Sequence, residues 1–110
     1  MIRKFEVEVV RTDKYVIEID DSVINEEWME QFRNVFYNFH DLDEHAEHIA
    51  QVRARFNNGR LDAGDIEGYG VPLLNGKKSP FVKNESVHQP AINIRVISED
   101  NDIEIETNEI

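Results

Sequence analysis

Cysteine is absent from the 110 residues, so no disulfide staples the fold and no thiolate offers a nucleophile or soft metal ligand. The lack also fits a reducing compartment. Bases are scarce: 12 Lys and Arg against 23 Asp and Glu leave a net charge of −11. Such a balance disfavours direct contact with DNA, RNA or anionic membrane, because attraction to phosphate needs clustered cations. No apolar run approaches the ~20 residues of a membrane span. Met1-Ile2-Arg3-Lys4 leads straight into alternating residues instead of an apolar leader, so a cytoplasmic protein is expected. Catalytic frames are missing too. None of Ser22, Ser79, Ser86 and Ser98 sits in a G-x-S-x-G elbow, and Gly68-Tyr69-Gly70 belongs to no phosphate-cradling motif. No enzyme and no cofactor are expected.

What is present reads as one α+β domain over residues 1–110. "KFEVEVVR" and "KYVIEI" alternate with period two, the signature of half-buried strands, and only Thr12-Asp13 separates them. A β-hairpin is therefore expected over residues 1–20. "AINIRVI" and "IEIET", divided by "SEDND", read as a second hairpin over residues 91–107.

Between them, residues 24–56 read as a helical hairpin. Ile24, Trp28, Phe32, Val35, Phe36 and Phe39 recur at helical spacing, with Asn25 or Ser22 as the N-cap. A second helix is expected from Leu42 to Phe56, with Leu42, Ile49, Val52 and Phe56 turned inward. The two β-hairpins would make a four-stranded antiparallel sheet with both helices on one face. Residues 57–90 hold all the glycines and read as a long Gly- and Pro-rich loop. Its Asn75-Gly76 pair could fold Tyr69–Leu74 and Lys78–Val82 into a small ribbon.

The stretch "HDLDEHAEH", residues 40–48, admits two readings. On a helix Glu44, His45 and His48 share one arc, which would suit a metal and a metal-assisted hydrolase. The spacing matches neither H-E-x-x-H nor H-x-x-E-H. The favoured reading is a capped helix start, Asp41 with Glu44 three residues on, its acids complementing the helix dipole.

The strings "YVIEID", "NEEWMEQFRNVFYNF", "EHAEHIAQVRARF" and "IEGYGVPLLNG" resemble a group of small acidic, uncharacterised proteins of phages and prophages of Gram-positive bacteria, over roughly residues 14–76. That group carries no assigned reaction, so no catalytic residue transfers. The resemblance implies a setting, the bacterial host cell, where small acidic phage proteins inhibit host defence, anti-CRISPR proteins among them.

The charge pattern agrees: residues 17–50 hold ten acids and Arg33 as the only base. The expectation is a non-catalytic inhibitor that binds a basic, nucleic-acid-handling host protein. The contact would use Glu26, Glu27, Glu30, Asp41, Asp43, Glu44 and Glu47, with Tyr69 as an anchor. A third reading is a phage assembly module that self-associates through Trp28 or Tyr69. Target and oligomeric state are not legible in the sequence.

Overall fold

A computed structural model describes residues 1–99 and 104–110. The chain is α+β, with strands β1 (Phe5–Val10) and β2 (Lys14–Ile19), helices α1 (Glu26–Val35) and α2 (Leu42–Phe56), then β3 (Val71–Leu74), β4 (His88–Ser98) and β5 (Glu104–Glu109). The strands form a three-stranded sheet in the order β2-β4-β3 and a separate two-stranded ribbon, β1-β5.

The expected four-stranded sheet of two hairpins is therefore corrected. β1 does not fold back on β2, nor β4 on β5. Instead β1 pairs antiparallel with β5, Phe5 opposite Glu109 through Val10 opposite Glu104. β2 pairs antiparallel with β4, Tyr15 opposite Val96 and Ile19 opposite Ile92. The two ladders follow one another along the same pair of chain segments. The physical reason lies at Thr12-Asp13. A two-residue hairpin turn needs positive φ at a central residue, yet Asn75 is the only non-glycine residue with positive φ among those described. An Arg11–Asp13 ion pair, with contacts of 2.8 and 3.0 Å, occupies the joint instead. The expected turn over Ser98–Asp102 lies partly outside the described residues.

Along β2 and β4 alternation does place the core, whereas β1, expected to be half-buried, is exposed at every residue. Tyr15, Ile17 and Ile19 face Val96, Ile94 and Ile92 across the ladder, and Ile92 and Ile94 are fully buried. Helix α2 packs directly on β2. The expected ribbon of 69–74 with 78–82 is not formed. Asn75 and Gly76 do make the tight turn, with φ of 51° and 78° and Leu74 bridging Lys77. But β3 then adds to β4 in parallel, and the intervening 13 residues, 75–87, are long enough for the crossover a parallel pair demands. Nor is the glycine-rich segment a loose loop: Ala63, Ile66, Tyr69 and Leu74 belong to the core beside Ile24, Met29, Phe32 and Ile49.

A buried clasp holds this segment to the sheet. The Arg53 guanidinium, 2% exposed, grips Glu99 through two bonds of 3.1 and 2.7 Å. It also donates to the carbonyls of Arg60 (3.3 Å) and Asp62 (3.1 Å). Tyr15 and Asn58 complete the shell around Glu99 at 2.7 and 2.8 Å. Burial alone would raise the Glu99 carboxyl, but these donors outweigh it and hold its pKa below the usual value. Asp62 is likewise buried, and bonds from Ser79 (2.6 Å) and Arg60 (2.9 Å) hold its carboxyl down.

Candidate functional site

Both helices begin with an aspartyl or asparaginyl cap. Asn25 Oδ1 accepts from the Trp28 N–H at 2.9 Å, and Asp41 Oδ1 from the Glu44 N–H at 2.9 Å. Glu44 reaches back to the His40 N–H at 3.2 Å, closing a variant of the capping box. The acids of "HDLDEHAEH" thus have the structural duty expected of a helix start.

Beyond the caps, one spacing recurs. Glu26, Glu27 and Glu30 on α1, and Asp43, Glu44 and Glu47 on α2, each stand at i, i+1, i+4. At 100° per residue such a triplet fills about a 100° arc. On α1 that arc is turned roughly 140° from Met29 and Phe32, and on α2 roughly 170° from His45 and Ile49, the residues each helix buries. Five of the six acids are exposed and Glu44 is half-buried. Glu26 is paired with Arg33 at 2.6 Å. Glu27, Glu30, Asp43 and Glu47 have no ion pair among the described residues; Arg3, Arg11, Arg53, Arg60, Lys78 and Arg95 pair with other acids. Two shallow grooves lie along the helices, and acids line only the second. One, about 180 Å³, is lined by Trp28, Gln31, Phe32, Phe36 and Gly68. The other, about 150 Å³, is lined by Phe39, Glu44, Glu47, His48 and Gln51.

Tyr69 does not stand on this surface. It is 5% exposed, with its hydroxyl 2.7 Å from His45 Nδ1. Its flanking glycines serve backbone geometry, since Gly68 and Gly70 hold φ of 88° and 90° in a tight loop closed by Ile66 and Gly70. An anchor role for Tyr69, whether toward a partner or another copy, is therefore withdrawn. Trp28 is half-buried, with its ring 5.4 Å from Phe32 and 5.8 Å from Tyr69.

The metal reading also fails on geometry. His45 is fully buried in an aromatic box, edge-on to Phe32 (4.8 Å) and Phe39 (5.3 Å), while Glu44 faces outward. Among the described residues no three His, Asp or Glu side chains are placed to share a metal ion. Glu44, His45 and His48 are brought to one helix turn but not to one point.

His45 Nε2 is buried without a hydrogen-bond partner. Donor and acceptor in the His45–Tyr69 bond depend on the imidazole tautomer, and the rings of Phe32, Phe39 and Tyr69 surround the imidazole. Burial lowers the His45 pKa below 6.5, with His48 and Arg33 adding to the effect and Glu44 and Asp41 opposing it. Burial lowers His48 as well. A histidine held neutral in the fold but free to protonate when unfolded destabilises the fold as pH drops below its unfolded value. The urea midpoint is thus expected to decline as pH falls from about 7 to about 5. In His45→Gln most of that slope should vanish, with His48 responsible for what remains. A wild-type midpoint flat over this window would contradict the assignment.

Compared with known proteins, the chain matches no family model, no curated sequence and no solved structure.

Proposed function

We propose that this protein is a non-catalytic inhibitor whose acidic helical surface docks a basic, nucleic-acid-handling protein of a bacterial host. One observation carries the reading: Glu27, Glu30, Asp43 and Glu47 project from rigid helices and no base among the described residues neutralises them. Packed, capped helices already order the backbone that carries these acids, so a partner need immobilise only the side chains. A groove built for phosphates responds to negative charge at suitable spacing, and such surfaces attract each other over about a Debye length. The resemblance to phage proteins of Gram-positive bacteria supports a host defence protein as the class of partner.

The test is affinity capture from a bacterial lysate with the wild type and with Glu27→Gln/Glu30→Gln/Asp43→Asn/Glu47→Gln. The wild type should retain a basic protein at low salt and release it by about 0.5 M salt. The variant should bind it at least about tenfold more weakly, mainly through slower association. Equal capture by both proteins, or retention indifferent to salt, would refute the electrostatic account.

A further inference from the structure

The β1-β5 ribbon has no part in that reading, and it is the most unusual element of the molecule. The overall extents are 58 × 31 × 24 Å and the radius of gyration is 17.4 Å, against about 13 Å for a compact chain of this length. Among the described residues β1 and β5 pair with each other and with no other strand. Every residue of β1 is exposed.

The ribbon has two unlike faces. Opposite residues of an antiparallel pair share a face and neighbours along a strand alternate. Phe5, Val7 and Val9, between 52 and 57% exposed, therefore lie on one side with Thr107. Glu6, Glu8 and Glu106 lie on the other. Glu8 stands directly opposite Glu106, an unfavourable like-charge pair. A two-stranded ribbon is marginal in water even without such a clash. Covering the apolar face is what would stabilise it.

From this geometry we infer that the ribbon is a self-association arm, and that two copies stack their Phe5-Val7-Val9 faces about a two-fold axis. Charge fixes where a second copy can sit. At −11, two copies repel each other over most of their surfaces. The stacked face avoids this, because its only ionic groups among the described residues are Arg3 and Glu109, which neutralise each other at 2.7 Å, with the Arg3 guanidinium 5.5 Å from the Phe5 ring centre. The same stacking turns Glu6, Glu8 and Glu106 away from the contact. Edge-to-edge pairing of β1 strands about Val7 would instead bring Glu6 against Glu8 of the other copy.

Area sets the strength. Six residues at about 3.4 Å along two strands about 4.8 Å apart give a face of roughly 20 by 10 Å. Each copy then buries on the order of 300–400 Å², under the ~800 Å² of a standard interface. The dimer should accordingly be weak and concentration-dependent.

Sedimentation velocity from about 10 μM to about 1 mM is expected to show a monomer giving way to a dimer. Val7→Glu/Val9→Glu should weaken it at least about tenfold, while Glu8→Gln should leave it unchanged or stronger. Because the chain has no native cysteine, Val7→Cys and Glu8→Cys report on the faces separately, without relying on a charged variant keeping its fold. A short bismaleimide should link Val7→Cys into dimers and leave Glu8→Cys monomeric. A monomer throughout, a dimer indifferent to the Val7 and Val9 changes, or equal linking of both cysteine variants would overturn the proposal. Since the acidic helices take no part in any of these readouts, the arm can fail while their role stands, and the reverse.

Discussion

Replacing Arg53 with methionine is expected to destabilise the protein by about 3–5 kcal/mol, the cost of leaving a buried charge without its partner. Glu99 would lose two hydrogen bonds and its counter-charge while its side chain stays 13% exposed. That is a large part of the roughly 5–15 kcal/mol that holds a domain together. A second change separates charge from hydrogen bonding. Glu99→Gln added to Arg53→Met removes the stranded charge, so the double variant should recover part of the loss. Recovery should be incomplete, since the carbonyls of Arg60 and Asp62 would still lack their donor. Urea denaturation of the four proteins closes the cycle. A loss under about 1 kcal/mol for Arg53→Met would mean that the pair behaves like an exposed one. The clasp also has a pH signature. Glu99 and Asp62 titrate below their ordinary values in the fold, so their contribution is complete above about pH 4–5 and is lost as pH falls through the folded values.

Gly70→Ala should be nearly as damaging, at about 2–4 kcal/mol. The residue has φ of 90°, and an added Cβ would lie 2.4 Å from the Val87 carbonyl oxygen, a backbone atom that cannot swing aside. Ile66 and Gly70 exchange backbone hydrogen bonds of 2.8 and 3.0 Å, so displacing the loop would also withdraw Tyr69 from beneath His45. Gly59→Ala is the control. Its φ of 76° is similarly strained, but no atom lies within 4 Å of the new Cβ. It should cost about 1–2 kcal/mol, from backbone strain alone. Thermal melts should separate the two variants by several degrees. Equal melting temperatures would show that the Val87 contact is irrelevant.

Local signals were readable and long-range ones were not. Period-two alternation located strands near 5–10, 14–19 and 91–98, and helix α2 was legible to its ends, Leu42 and Phe56. Alternation says which face of a strand is apolar but not which strand lies alongside. Phe5 finds Glu109 at the far end of the chain, and no turn residue near Thr12 announces it. Helix α1 ends at Val35, sooner than its aromatic row suggested, so Val35 is 72% exposed instead of packed. Phe56, expected inside, is also exposed.

The acids of the candidate surface were visible as a charge run. Tyr69 was misread because a glycine-flanked aromatic looks the same whether the glycines serve a mobile loop or a tight turn under the core. In sequence, Arg53 on a helix reads only as half of some local ion pair. Its partner Glu99 lies 46 residues away, and the burial of the pair depends on how the glycine-rich segment folds over it.

The central claim is that fixed carboxylates on α1 and α2 occupy a surface meant for phosphates. Competition tests it most directly: a labelled nucleic acid is bound to the captured partner and the protein is titrated in at two salt concentrations. Wild type should displace the nucleic acid, less effectively at the higher salt, and the four-residue neutralised variant should not. A stable ternary complex of partner, nucleic acid and this protein would contradict the account.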